Sequence, residues 1–130
     1  MTSANLVNIL YVEDDSDIQT VAQIALEVVG GFVLKTCSSG SQALSEVKAG
    51  FVPDLLLLDV MMPNMDGPTT LAELRQLPVT ATTPVVFMTA KVQTSELELY
   101  YSLGAIGVIA KPFDPMELSA QVAKLWQERK

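Results

Sequence analysis

The feature that most constrains the fold is a short apolar run, residues 55–58, that contains four leucines and ends in the carboxylate of Asp59. A run of this length without polar alternation is typical of a strand that helices cover on both faces. The Pro and Gly residues within 60–67 indicate a loop directly after it. The sequence therefore predicts a central buried strand that delivers Asp59 to its exposed carboxyl end.

Three other apolar runs end in residues that can act on charged groups. One run leads into Glu13 and Asp14, one into Thr89, and one into Lys111. Because the carboxyl ends of parallel strands share one edge of a sheet, we expect acids, a hydroxyl and an amine to converge there.

Strand-like and helix-like segments alternate along the whole chain. Strands are expected at 7–12, 32–36, 55–58, from 84 onward and at 108–110, and helices at 17–29, 41–49, 68–77, 95–103 and after 114–115. Strict alternation predicts parallel strands joined by right-handed helical crossovers. The expected fold is a doubly wound α/β domain, with a five-stranded parallel sheet and helices on both faces.

The sequence also predicts helix ends, buried helix faces and one turn. We expect Ser16 to cap the first helix and Gly30 and Gly31 to end it, with Val21 and Val29 on its buried face among others. The glycines within residues 104–107 predict a turn before the fifth strand. Apolar residues of the fourth helix lie on more than one face, so we expect that helix to expose some of them.

Composition narrows the class of protein. At 130 residues and 49% hydrophobic, the chain can bury one good core and is too short for two ordinary domains. A net charge of −7 disfavours direct binding to nucleic acid, which depends on clustered Lys and Arg. No apolar run approaches the eighteen or so residues of a membrane span, so we expect no membrane insertion.

Two residue types exclude further chemistry. The chain contains no histidine, which rules out Ser-His-Asp catalysis, Cys-His catalysis and imidazole-ligated metal sites within it. The single cysteine, Cys37, cannot form an internal disulfide, and we expect it to be a small buried hydrophobe.

The start of the chain has no signal-peptide pattern, so a cytoplasmic location is expected.

The acids expected at the sheet edge favour phosphate chemistry. Carboxylates gathered from Glu13, Asp14 and Asp59 repel each other and invite a hard divalent cation, Mg²⁺ above all. A carboxylate is also a competent nucleophile toward an activated phosphoryl group. Lys111 would neutralise charge on that group, and the Thr89 hydroxyl would donate to one of its oxygens.

Taken together, these strand ends resemble the receiver domain of bacterial response regulators. The matching segments are Glu13-Asp14, Asp59 with residues 62–67 behind it, Met-Thr-Ala at 88–90 and Lys-Pro-Phe at 111–113. The resemblance covers nearly the whole chain and implies a flavodoxin-like sheet of strand order 2-1-3-4-5. It implies a receiver domain at 6–130 after a disordered segment at 1–5. The expected type is a stand-alone receiver that works through other proteins, or a fragment of a longer regulator.

The resemblance also implies an activity. A sensor histidine kinase or a histidine phosphotransfer protein would supply a phosphoryl group from a phosphohistidine to Asp59, and hydrolysis would follow. The domain would catalyse its own phosphorylation and dephosphorylation rather than act as an enzyme on a separate substrate.

The resemblance assigns roles to individual residues. Asp59 and Asp14 would bind Mg²⁺, Glu13 would hold metal-bound water, and Met61 would contribute only its backbone carbonyl. Lys111, ahead of a cis bond to Pro112, would pair with the phosphoryl group, and Thr89 would move toward its oxygens.

Output would run through the face formed by the fourth helix, the fifth strand and the last helix, toward an unidentified protein or into a phosphorylation-dependent dimer. Many receivers carry an aromatic residue where this chain has Val108, so the usual threonine-aromatic switch is not expected in that form. Tyr100 and Tyr101 are candidate substitutes, although ordinary packing would explain them equally well. Lys91 is expected to affect the lifetime of the acyl phosphate.

Two other functions remain open at this point. The first is a phosphoester hydrolase that uses an aspartyl-phosphate; such enzymes of the haloacid-dehalogenase type place an acid two residues after the nucleophile, where this chain has Met61. The second is a receiver-shaped scaffold that binds partners without phosphorylation, against which the complete set of Asp14, Asp59, Thr89 and Lys111 argues.

Overall fold

Five parallel strands form one sheet in the computed structural model, which describes residues 5–129. The strands are β1 (Asn8–Val12), β2 (Val33–Cys37), β3 (Leu55–Asp59), β4 (Val85–Thr89) and β5 (Ala105–Ala110). They pair in the order β2-β1-β3-β4-β5, with parallel neighbours throughout. This confirms the predicted doubly wound, flavodoxin-like topology.

The helices connect consecutive strands at the predicted places. They are α1 (Ser16–Gln23), α2 (Gly40–Lys48), α3 (Gly67–Leu74), α4 (Thr94–Ser102) and α5 (Leu118–Glu128). A π-helical segment, Ile24–Val29, extends α1, and a 3-10 turn, Pro78–Thr80, follows α3. The first helix ends as predicted, at a glycine pair in which Gly31 has a φ of 74°.

The sheet separates two apolar cores, and β3 contributes to both. Leu56 and Leu58 face one core, which α2, α3 and α4 cover, while Leu55 and Leu57 face the other, under α1 and α5. Every residue of β3 is buried, as the unbroken leucine run predicts. The central strand is therefore held from both sides, and Asp59 at its end has a rigid support.

Two expectations for the first helix were wrong. The N-cap is Asp15 rather than Ser16, because the Asp15 side chain accepts hydrogen bonds from the backbone N–H of Asp17 (2.9 Å) and of Ile18 (3.1 Å). Val21 and Val29 were expected to be buried but are 41% and 48% exposed. On the same predicted face, Ala22, Ala25 and Leu26 are buried in the core as expected, so the buried face is narrower than predicted.

The fifth strand begins earlier than predicted. Ala105 already pairs with Val85, so residues expected to form a turn belong to β5. A Cβ at Gly107 would lie 2.5 Å from the Leu125 side chain, so this glycine allows α5 to pack closely against the strand. Glycine there serves close packing rather than a turn.

The fourth helix exposes part of its apolar surface, as predicted. Leu99 and Tyr101 are each 51% exposed, whereas Tyr100 is buried. The Tyr100 ring packs on Phe87 with centroids 5.3 Å apart and planes tilted by 43°. Val108 is partly buried against the same core. The aromatic packing beneath α4 is therefore supplied by the helix and β4, not by β5.

Three remaining expectations concern the termini, the membrane and the cysteine. Residues 1–4 of the segment predicted to be disordered lie outside the described residues, and Asn5 is exposed and outside regular secondary structure. Within residues 5–129, no helix combines the length and apolar character needed to span a membrane. Cys37 is fully buried, as predicted, and burial raises the pKa of its thiol to about 12.

Candidate functional site

The carboxyl edge of the sheet brings three of the predicted site residues onto one face. The backbone N–H of Glu13 donates to the carbonyl of Cys37 (3.0 Å), and the backbone N–H of Lys111 donates to the carbonyl of Thr89 (2.9 Å). The hydrogen-bond pattern of the sheet therefore continues one residue past the ends of β1 and β5. Side chains alternate along a strand, which places Glu13, Asp59 and Lys111 on the side covered by α1 and α5.

Glu13, Asp59 and Lys111 form one ion cluster. The Lys111 ammonium donates to Glu13 Oε1 and to Asp59 Oδ1, both at 2.9 Å. Both carboxylates are almost fully buried, at 1% and 2% exposure. Two buried acids thus share one ammonium, so negative charge is in excess.

The pKa values of the cluster reflect this excess. Burial, together with the charge of Asp59, raises the pKa of Glu13 even though Lys111 opposes the shift. Burial and the charge of Asp14 likewise raise the pKa of Asp59. Burial alone would lower the pKa of Lys111, but its hydrogen bonds to the two acids outweigh burial and raise it. A further cation at this edge would favour the ionised form of both acids.

The acidic residues suit a hard divalent cation. Carboxylate oxygens of Glu13, Asp14 and Asp59 all lie within 4.8 Å of one another, and Asp14 is exposed. Oxygen-only donors of this kind fit Mg²⁺, which takes one or two carboxylates and completes its shell with water and phosphate oxygens. Met61 lies in the following loop with a 64% exposed side chain, and the role of its backbone carbonyl stays a prediction.

Thr89 lies beside Lys111 at this edge, because its backbone carbonyl accepts from the N–H of Lys111 at 2.9 Å. Thr89 ends β4 at the same edge, and its buried Oγ1 accepts a hydrogen bond from the backbone N–H of Lys91 at 3.0 Å. A hydroxyl that accepts one hydrogen bond can still donate another. The peptide bond between Lys111 and Pro112 is cis, as the resemblance implied.

The loop after β3 turns back tightly onto the backbone of Asp59. Gly67, the first residue of α3, donates from its N–H to the carbonyl of Val60 at 2.9 Å. A Cβ at Gly67 would lie 2.6 Å from the carbonyl oxygen of Asp59. Only glycine therefore fits this position without displacing the backbone that carries the Asp59 side chain.

Two features near the cluster were not anticipated from the sequence. Tyr11 is fully buried in β1, and its hydroxyl has no hydrogen-bond partner. A shallow cavity of about 250 Å³ lies beside Lys111, lined by Asp17, Ile18, Val21, Lys111, Pro112 and Phe113. Tyr11 could have been singled out as a polar group in an otherwise apolar run, whereas the cavity depends on how α1 meets the loop after β5.

Comparison with known proteins shows which family this chain is similar to. The family model described as the response regulator receiver domain matches residues 9–123. The chain is 39% identical over 114 residues to the alkaline phosphatase synthesis transcriptional regulatory protein PhoP of Bacillus subtilis. That match covers 88% of this chain and 46% of PhoP.

A second relative is similar in extent. The chain is 38% identical over 126 residues to the transcriptional regulatory protein CpxR of Klebsiella pneumoniae, covering 93% of this chain and 52% of CpxR. The chain thus spans about half the length of these relatives.

Solved structures share the fold. The chemotaxis protein CheY4 of Vibrio cholerae superposes with a TM-score of 0.84 at 24% identity, over 93% of this chain and 99% of CheY4. A CheY-like receiver domain protein of Methanospirillum hungatei superposes with a TM-score of 0.79 at 23% identity, over 95% of this chain and 96% of that protein.

Proposed function

The chain belongs to the receiver-domain family of response regulators of two-component systems, and we propose that Asp59 is its phosphoacceptor. The observation that carries the proposal is the shared ammonium: Lys111 hydrogen-bonds to Glu13 and to Asp59 at 2.9 Å. This pairing holds an almost fully buried carboxylate at the edge of the sheet, beside the cation that would meet an incoming phosphoryl group.

The proposed reaction is a phosphoryl transfer from a phosphohistidine of a sensor kinase or a histidine phosphotransfer protein. An oxygen of Asp59 attacks phosphorus, the phosphorus–nitrogen bond to the imidazole breaks, and its electron pair stays on the nitrogen, which takes up a proton. The acyl phosphate is later hydrolysed when water attacks phosphorus and the Asp59 carboxylate leaves. The domain itself catalyses both steps by positioning and charge neutralisation.

Residues of the chain have separate tasks in this scheme. Lys111 pairs with the phosphoryl oxygens, and the Thr89 hydroxyl, which accepts from the N–H of Lys91, donates to one of them. Glu13, Asp14 and Asp59 would hold Mg²⁺, which supplies neutralisation of the phosphoryl charge when bound.

Phosphorylation would change the surface made by α4, β5 and α5. The half-exposed Leu99 and Tyr101 on α4 give that surface an apolar component suited to a protein partner or a second copy of the chain. Because Val108 stands where many receivers have an aromatic residue, the change would run from Thr89 through the following loop into α4. The buried Phe87–Tyr100 pair lies on that route.

Mass spectrometry of the intact protein tests the proposal. Incubation with acetyl phosphate or phosphoramidate and Mg²⁺ should add about 80 Da, because an acyl phosphate forms on one carboxylate. The gain should vanish in Asp59→Asn and with a chelator. It should persist in Asp17→Asn, a matched change of an exposed acid outside the ion cluster.

Other outcomes identify other functions. Continuous phosphate release from ordinary phosphoesters would instead favour an aspartyl-phosphate hydrolase. An unmodified wild-type protein would favour a scaffold that works without phosphorylation.

A further inference from the structure

The hydroxyl of Tyr11 is an unexplained polar group close to the ion cluster. Within residues 5–129 it is one of two buried side-chain polar atoms without a hydrogen-bond partner; the other is the Oγ1 of Thr36. Leaving a buried hydroxyl unpaired destabilises a protein, whereas phenylalanine would fill the same space without that penalty. A tyrosine at this place therefore suggests that its hydroxyl is used in another state of the molecule.

The position of Tyr11 in the sheet places it directly below the cluster. Side chains alternate along a strand, so Tyr11 and Glu13 face the same side, and Tyr11 pairs with Leu57, two residues before Asp59. Tyr11 packs in the core under α1 and α5. After burial itself, the charges of Glu13 and Asp59 contribute most to raising the pKa of Tyr11. The hydroxyl is thus a neutral donor within the field of both acids.

Phosphorylation would change the hydrogen bonds of Glu13, a step that rests on the proposed function. Glu13 Oε1 accepts from the Lys111 ammonium at 2.9 Å, and Oε2 accepts from the backbone N–H of Asp15 at 3.3 Å. When the ammonium turns toward a phosphoryl group on Asp59, the buried Glu13 carboxylate loses this donor, and Mg²⁺ or its water would fill only some of its about four lone-pair sites. A further hydrogen-bond donor would therefore be favourable for Glu13 in that state.

We propose that Tyr11 is a positioning residue for the phosphorylated state, in which its hydroxyl donates a hydrogen bond to the Glu13 carboxylate, directly or through one buried water. The bond takes the place of the contact that Lys111 gives up, and it keeps Glu13 oriented. In the unphosphorylated protein the ammonium satisfies Glu13, which explains why the hydroxyl is unpaired there.

Tyr11→Phe separates this role from simple packing, because it keeps the ring and removes only the hydroxyl. Calorimetric titration with beryllofluoride, a stand-in for the phosphoryl group, at a fixed excess of Mg²⁺ should show about tenfold weaker binding, as expected for a lost hydrogen bond to a charged group. The thermal midpoint of the unliganded variant should rise, because an unpaired buried hydroxyl is removed. Packing alone would not move affinity and stability in opposite directions.

The matched control is Thr36→Val, which removes the other unpaired hydroxyl from the residue that pairs with Tyr11 on β2. Its affinity for beryllofluoride should equal that of the wild type. The inference is overturned if Tyr11→Phe binds like the wild type, or if both variants weaken binding equally.

A second measurement needs no change at Tyr11. In protein labelled at tyrosine Cζ with carbon-13, the Tyr11 resonance should shift when beryllofluoride binds, since this carbon reports hydrogen bonding of the phenol. Tyr100→Phe and Tyr101→Phe assign the resonance by elimination among the three tyrosines. An unshifted Tyr11 resonance would contradict the inference. Failure of the wild type to gain the phosphoryl mass would instead remove the proposed function, and this inference with it.

Discussion

Asp54 lies at the amino edge of the sheet and Asp59 at the carboxyl edge, and their carboxylates have opposite surroundings. Asp54 Oδ2 accepts from the backbone N–H of Val7 (3.1 Å) and of Asn8 (2.8 Å), so it ties the start of β1 to the loop before β3. Asp59 Oδ1 accepts from an ammonium that Glu13 shares. The Asp54 carboxylate joins two segments of the fold, whereas the Asp59 carboxylate belongs to a cluster with excess negative charge that a cationic ligand would neutralise.

This contrast shows how one residue type supports either structure or chemistry. Backbone amides are permanent donors that no reaction removes, so a carboxylate paired with them contributes steadily to stability. A side-chain ammonium can turn to another partner, so a carboxylate paired with it can change its bonds.

Removing the shared ammonium should have the largest effect on stability. Lys111→Met would leave Glu13 and Asp59 buried without a counter-charge, so we expect a loss of about 3 kcal/mol in the free energy of unfolding. Urea unfolding without Mg²⁺ at neutral pH measures it. The control is Lys35→Met, which breaks the exposed pair with Glu46 at 3.7 Å and should cost less than about 1 kcal/mol. Equal losses in the two variants would contradict the buried cluster.

Asp54→Ala should destabilise the protein by about 2 kcal/mol, because two backbone N–H groups lose their acceptor. Asp54→Asn keeps one acceptor oxygen and should lose less. Phosphoryl uptake, read by intact mass, should be unchanged in both variants. A failure of either folded variant to accept the phosphoryl group would show that the two edges are coupled.

Asp59→Asn should stabilise the metal-free protein at neutral pH by about 1 kcal/mol, since it removes a buried charge. Folding raises the pKa of Asp59, so the stability of the wild type depends on pH. Relative to the variant, the wild type is most stable below the pKa of unfolded Asp59, about 4. It loses this relative stability as the pH rises through the pKa of Asp59 in the folded protein. Urea unfolding across this range measures the difference. A variant advantage that grows toward acid pH would have the wrong sign.

Mg²⁺ should stabilise the wild type by about 1 kcal/mol at a concentration several-fold above its dissociation constant. The gain, measured as a rise in thermal midpoint, should be the same in Asp54→Asn. It should be lost in Asp14→Asn and Asp59→Asn, which each remove a carboxylate from the acidic group. Full stabilisation of Asp14→Asn would place the cation elsewhere.

Lys91→Ala should give the smallest effect, a change of about threefold in the rate of dephosphorylation. The Lys91 side chain is exposed just beyond Thr89, where water would approach the acyl phosphate. Loss of phosphoryl mass over time measures the rate. Lys48→Ala, an exposed lysine at the end of α2, is the control, and an unchanged rate in Lys91→Ala would count against the role.

Much of this fold follows from local pattern. The leucines of β3 predict a strand buried on both faces, and alternating segments then predict parallel pairing, which brings Glu13, Asp59 and Lys111 to one edge. The ion cluster was therefore within reach of the sequence, because it depends only on strand order and on which residue follows each strand.

Other features depend on contacts between distant segments. Gly107 reads as a turn residue until Leu125 of α5 is seen against it. Asp15 and Ser16 are both good caps, and only the backbone path selects Asp15. The spacing of apolar residues does not predict the π-helical hydrogen bonds of Ile24–Val29. Tyr11 stands in an apolar run, but its unpaired hydroxyl appears only once its surroundings are known.

The close approach of Gly67 to the Asp59 carbonyl has a consequence for protein engineering. Transplanting the acids and the lysine onto another parallel sheet would not be sufficient, because the recipient loop must also lack a side chain at the first position of the next helix. A library that randomises residues 60–66 could retain a correctly placed aspartate, whereas one that also varies position 67 would mostly yield receivers whose aspartate is misplaced.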